Sequence, residues 1–207
     1  MSITDALLAF SLAAALLTIT PGLDTALILR TAASEGRKQA WHAALGINTG
    51  CFLWGTMIAF GLGALLATSE LAYSILKWCG ALYLSWLGIQ LIVRPRKQFD
   101  LSKSSTETTS NWYTRGVLSN LLNPKTGVFY ISFLPQFIPA GTSPVMWAFI
   151  LVSIHIVMST IWSIGLIVAT HRATRLLKTP KFTQWMDRIT GGVFILFAVK
   201  LAMSKAS

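Results

Sequence analysis

Apolar runs close to 20 residues long recur along the chain, and they leave few folds open to it. At 1.5 Å of rise per residue, about 20 apolar residues cross a hydrocarbon core of about 30 Å. Only 12% of the 207 residues are charged, while 54% are hydrophobic. An average soluble domain carries about 25% charged residues. The pattern predicts an all-α integral membrane protein with six spans, at 4–29, 41–66, 71–93, 114–138, 145–169 and 187–204. The opening stretch "MSITDALLAFSLAAALL" lacks the basic region of a signal peptide and reads as an uncleaved first span.

The formal charge of +10 raises the question of nucleic acid. The placement of the charge answers it. Of 17 Lys and Arg residues, thirteen fall in the loops after spans one, three and five. The opposite side holds only Lys205, and Lys77, Lys125 and Lys200 fall inside spans. Loops rich in Lys and Arg stay cytoplasmic, so both termini are expected to be periplasmic. The basic charge is a topology signal, and no nucleic-acid partner is expected. Cys51 and Cys79 lie in apolar runs and read as small packing residues. No Cys/His cluster has metal-site spacing, and no cofactor is expected.

Two features interrupt the apolar runs. "LTITPGLDTALILR" places Pro21, Gly22 and the carboxylate of Asp24 inside span one, and "NLLNPKTG" places Asn123, Pro124 and Lys125 inside span four. Pro21 lies nine residues before Arg30, and Pro124 nine residues after Arg115. Both prolines are therefore about 13 Å from the cytoplasmic edge, near the midplane. The linker 94–113 divides the chain into residues 1–93 and 114–207, each with three spans. Because three is odd, the second half must be inverted relative to the first, an arrangement common in secondary transporters. Thr20-Pro21 and Asn123-Pro124 would be equivalent, with Gly36 and Trp41 loosely matched by Gly141 and Trp147. Thr and Asn are good N-caps and proline suits the first helical position. Each break is thus expected to start a half-helix at Thr20 or Asn123, with positive dipole ends that suit a carboxylate. Asp24 would hold an ammonium group or a proton. The alternative is a pair of packing kinks.

At these residues the sequence resembles the LysE/RhtB family of bacterial amino-acid exporters. The likeness covers nearly the whole chain. It includes "TPGLD", "ASEGRKQAWHAALGINTG", "GALYLSWLGIQLI", "NLLNPKTGVFYISFLPQF" and "DRITGGVFILFAVKLAM". The family usually carries a second proline in the first motif, where Leu23 stands here. The resemblance implies efflux of amino acids driven by the proton motive force across the bacterial inner membrane. The expected substrate site is Thr20, Pro21, Gly22, Asp24, Asn123, Pro124 and Lys125, with Asp24 and His155 as proton-coupling candidates. The partners would be an amino acid, protons and membrane lipid, with a homodimer left open.

The remaining polar residues leave alternatives open. Lys125 either pairs with Asp24, meets the substrate carboxylate, or snorkels to an interface. His155 relays protons or packs through a hydrogen bond. Asn48, Asn120 and Gln136 line a pathway or hold helices together. "GINTG", Gly46 to Gly50, reads as close packing within the bundle rather than as a homodimer contact. Lys77 and Lys200 are expected to snorkel, and Trp41, Trp112 and Trp147 to anchor span ends at the interface. "HRATRLLKTPKFTQWMDR" has room for a short interfacial helix. Two other classes compete with a transporter. An intramembrane enzyme would need a nucleophile and base on one face, and Ser153 and His155 at i and i+2 point apart. A non-transporting assembly partner would not need Asp24 or the paired breaks. With Asp24 the only acid clearly inside a span, the exported species is expected to be neutral, of the threonine, homoserine, cysteine or leucine type.

Overall fold

The structure is a computed structural model. It describes residues 2–68, 88–95, 111–139, 141–177 and 179–203, together with Trp78, Ala81, Leu82, Ser85 and Trp86. Among the described residues there is no strand. The helices are α1 (Ile3–Ile19), α2 (Leu23–Ser34), α3 (Arg37–Thr68), α4 (88–93), α5 (Trp112–Leu121), α6 (Pro124–Val128), α7 (Pro144–Val168), α8 (Thr170–Leu177) and α9 (Pro180–Met203). A π-helical turn (Phe129–Phe133) and a 3-10 turn (Leu134–Phe137) continue α6.

Short polar side chains start these helices by accepting from amides that have no carbonyl one turn back. Ser2 accepts from the amide of Asp5, Asn111 from those of Tyr113 and Thr114, and Ser143 from that of Met146. Pro144 then occupies the first position of α7, where its missing N–H costs no helical bond. The first loop is shorter than the sequence suggests: only Glu35 and Gly36 separate α2 from α3. Arg30, Arg37 and Lys38 are good helix formers, so the helices run on past the apolar segment. Gly36 (φ 88°) and Gly141 (φ 79°) are the described residues with positive φ, and both sit in tight turns.

Among the described residues, Arg37–Gly61 and Pro144–Val168 are each long and apolar enough to cross a membrane. Ile3–Ile19 and Leu23–Ser34 qualify together as one span bent by 48°. The predicted third span, 71–93, lies largely outside the described residues, as do Lys77, Cys79 and most of the linker 94–113. The side chain of Lys200 also lies outside them. The short helix expected after span five is α8.

Apolar side chains cover the outside: Leu8, Leu12, Phe60, Leu82, Val157 and Leu196 are all exposed. Polar ones turn inward, and Thr20, Asn120, Asn123, Thr126, His155 and Ser163 are all buried. A chain solvated by lipid is expected to be arranged this way. The core is divided in two. One apolar cluster joins Phe10, Tyr130, Phe133, Phe137 and Leu151, and the other joins Ile28, Leu29, Ala40, Ile47 and Ile167. α1 contributes to the first and α2 to the second, so the break between them lies at the level of the divide.

Three small-residue contacts fix the helices around it. A Cβ on Gly46 would strike the carbonyl of Tyr113, and one on Gly116 would strike that of Ala43, so α3 and α5 meet backbone to backbone. "GINTG" therefore packs within the bundle. A Cβ on Gly88 would lie 2.7 Å from the carbonyl oxygen of Gly191, which brings α4 against α9. Asn48 Nδ2 donates to Thr160 Oγ1 at 2.8 Å and ties α3 to α7. Cys51 is buried, as expected of a packing residue. Trp41 is exposed at the start of α3, and Trp112 carries the Arg115 guanidinium 4.8 Å from its ring centroid. Trp147 corrects the expectation of an interfacial anchor. It is buried in the first cluster, which also takes Phe10, Ala13, Ala14 and Leu17 from α1.

Candidate functional site

The first break arises from a missing amide. Pro21 has no N–H to bond the carbonyl of Leu17, so α1 ends at Ile19, two residues before it, with Thr20 extended (φ −68°, ψ 121°). Gly22, also extended (φ −150°, ψ −168°), precedes α2 as its N-cap and offers no side-chain bond. This corrects the expectation that Thr20 caps the second half-helix. The Thr20 hydroxyl turns back to the carbonyl of Leu16 at 2.6 Å and meets Thr190 Oγ1 at 2.5 Å, so it is engaged with α1 and α9. The positive end of α2 is met instead by Asp24 in its first turn.

The second break has the expected form. Asn123 is extended, its Oδ1 accepts from the amide of Lys125 at 3.1 Å, and Pro124 opens α6. The end of α5 and the N-cap of α6 carry the donors that hold Asp24. Ser119 Oγ donates to Asp24 Oδ1 at 3.0 Å. Asn120 Nδ2 and Asn123 Nδ2 donate to Oδ2 at 2.9 and 3.3 Å. One carboxylate thus links the two broken helices.

Lys125 Nζ donates to the carbonyls of Leu17 and Thr20, each at 2.6 Å, and Lys125 lines the same cavity as Asp24. His155 Nδ1 lies 2.9 Å from the Tyr130 hydroxyl. A cavity of about 50 Å³ opens among these groups. Thr20, Gly22, Asp24, Asn123, Lys125 and His155 all line it, while Pro21 and Pro124 shape the breaks from behind.

Several lining residues carry no local sequence signal. Asn120 is only 1% exposed and also donates to Cys51 Sγ at 3.5 Å, so it too belongs to the site. Trp162, Ser159 and Ser163 reach the cavity from α7. The indole N–H of Trp162 is buried and lacks an acceptor among the described residues. Asp24 is not the only buried acid: Asp187 is fully buried within α9, which begins seven residues before the predicted span. It does not line the cavity, so Asp24 remains the one carboxylate there among the described residues.

Leu23 occupies the first position of α2, the position that proline favours, and its side chain is exposed. The extended Gly22 before it suits a following proline. Leu23→Pro is therefore expected to change stability by no more than about 1 kcal/mol. Thermal unfolding in detergent checks this, and loss of the folded protein would show that the break needs an amide at residue 23.

A family model described as "LysE type translocator" matches residues 15–205. The chain is 31% identical to a homoserine/homoserine lactone efflux protein of Salmonella typhimurium, over 95% of this chain and 96% of that one. It is 30% identical to a leucine efflux protein of Klebsiella pneumoniae, over 94% and 93%. It is 27% identical to a threonine efflux protein of Escherichia coli K12, over 90% and 92%. No solved structure matches. With inward polar groups, lipid-facing apolar helices and this match over nearly its whole length, the chain is a multi-pass membrane transporter rather than an enzyme and belongs to the LysE type translocator family.

Proposed function

We propose that the chain exports a small neutral amino acid from the cytoplasm across the bacterial inner membrane, in exchange for an incoming proton. The observation that carries this reading is Asp24. It is held by three donors at the junction of two broken helices and faces a cavity. A carboxylate so placed takes a proton or an ammonium group, and alternation between the two gives antiport. Thr20, Pro21, Gly22, Asn123 and Pro124 form the rest of the substrate site, and Lys125 occupies it while it is empty. His155 is a second proton-binding group. The Trp162 indole N–H, a donor in want of an acceptor, meets the substrate carboxylate. The single lining carboxylate supports a neutral substrate, as do relatives named for homoserine, leucine and threonine.

In this reading six spans form two inverted three-helix repeats, with both termini periplasmic. The thirteen Lys and Arg residues on one side support the orientation. The shared positive φ of Gly36 and Gly141, one in each half, supports the repeat.

Counter-flow in proteoliposomes tests the function. Vesicles preloaded with threonine, homoserine, leucine or cysteine are expected to accumulate the same labelled amino acid, and a pH gradient is expected to drive net flux. Chemical conversion without flux, or no accumulation across the panel, would overturn the reading.

A further inference from the structure

The carbonyl of Leu17 is left without its helical donor because the residue four positions on is Pro21, which has no N–H. The carbonyl of Thr20 is turned out of the helix by the extended backbone at that residue. Both residues line the cavity, and both carbonyls accept from one primary ammonium, Lys125 Nζ, at 2.6 Å. The lysine reaches them from the other broken helix, passing over Gly22, where a Cβ would lie 3.5 Å from Nζ. Two short charge-assisted bonds to orphan carbonyls beside a carboxylate make a site selective for R–NH₃⁺. The α-ammonium of an amino acid has the same three donors as Lys125 Nζ. In this conformation the cavity, about 50 Å³, has room for a few waters. An ammonium group reaches the two carbonyls only if Nζ leaves them, and the only cation lining the cavity among the described residues is this lysine.

We propose that the carbonyls of Leu17 and Thr20, backed by Asp24, take the substrate's α-ammonium group, and that Lys125 is a tethered stand-in which yields them when the substrate enters. The identity of the incoming ligand rests on the export reading; the ammonium preference of the carbonyl pair does not. Two ammonium groups do not share one carbonyl pair, so substrate binding drives Lys125 off. The break in α1 thereby keeps a cation throughout the exchange.

The experiment removes the tether. Lys125→Ala and Lys125→Met are purified in detergent. Their thermal unfolding is followed in methylammonium chloride, tetramethylammonium chloride and sodium chloride at equal ionic strength. Methylammonium is expected to raise the midpoint of Lys125→Ala by several degrees and to leave the parent unmoved. Tetramethylammonium, which has no N–H, is expected to act like sodium. Amino-acid binding, measured by equilibrium dialysis, is expected to tighten in Lys125→Met by about tenfold, the factor for a competitor that holds the site nine-tenths of the time. If Lys125→Ala does not fold alone, methylammonium present during extraction is expected to restore it. Failure of that rescue, equal shifts with all three cations, or weaker amino-acid binding in Lys125→Met would each overturn the proposal. Methylammonium rescue in a protein that exports nothing would leave the ammonium site standing and remove the export reading.

Discussion

Asp24→Asn is expected to abolish proton-driven efflux while leaving the protein folded and inserted. A charged side chain at the bilayer centre costs about 3 kcal/mol on insertion scales, and its partners here show how it is accommodated. All three groups around it are donors: Ser119 to Oδ1, Asn120 and Asn123 to Oδ2. An asparagine fits them if its amide nitrogen takes the place of Oδ1. The Ser119 hydroxyl then rotates to accept, since a hydroxyl is both donor and acceptor. The shape survives, but the charge and the proton site do not. Asp24→Leu, by contrast, strands three donors and is expected to cost about 1–3 kcal/mol for each one left buried without a partner. The two variants separate chemistry from folding. Loss of a charge-assisted bond to an ammonium group is expected to weaken substrate binding about 10- to 100-fold, from about 1.5–3 kcal/mol. Everted vesicles with an imposed pH gradient supply the measurement. If Asp24→Asn reaches the membrane at the parental level and still moves substrate uphill with the parental rate and pH dependence, Asp24 is not the coupling residue. His155, held by Tyr130 in the same cavity, is then the next group to replace.

What was legible in the sequence is what local chemistry controls. A proline inside an apolar run removes an amide wherever the chain goes, so both breaks could be located from "TPG" and "NPK" alone. Asn123 and Pro124 behave as their neighbours dictate. Thr20 departs from its local pattern because its hydroxyl is decided by Thr190, 170 residues away. Asn120 is hard to place for a similar reason: its role depends on α5 lying against α3, which no local pattern in α5 announces. The partner helix does carry a signal: Gly46 and Gly50 in α3 form a small-residue face on which another helix can dock. Asp187 stands at the edge of the predicted span yet seven residues inside α9, because helices do not stop where apolar composition stops. Pro180 marks the true start of α9. The pairing of Lys125 with backbone carbonyls was invisible for a different reason: a carbonyl has no sequence identity.

The glycines between α3 and α5 carry the other large expected effect. A Cβ on Gly46 would overlap the carbonyl of Tyr113 and lie 2.9 Å from the amide nitrogen of Val117. A Cβ on Gly116 would overlap the carbonyl of Ala43 and lie 2.9 Å from the amide nitrogen of Ile47. The obstructing atoms are backbone in both cases, so no rotamer change relieves them, and α5 must move away from α3. One turn along α5, Asn120 packs against Gly50, where a Cβ would lie 2.7 Å from its Cβ. A shift of α5 therefore carries Asn120, Asn123 and Ser119 away from Asp24. Gly46→Ala and Gly116→Ala are each expected to cost about 1–3 kcal/mol of overpacking, a fall of about 2–10 °C in melting midpoint for a chain of this size. Transport is expected to fall more steeply than stability, because hydrogen bonds to Asp24 lengthen before the bundle unfolds. Gly61→Ala is the control on the same helix. Among the described residues nothing lies within 4 Å of its added Cβ, and alanine favours the helix by about 1 kcal/mol over glycine. Fluorescence-detected unfolding of the three purified variants, with counter-flow on each, reads both effects. If Gly46→Ala and Gly116→Ala melt with the parent while Gly61→Ala does not, the close approach of α3 and α5 is not what positions the donors around Asp24.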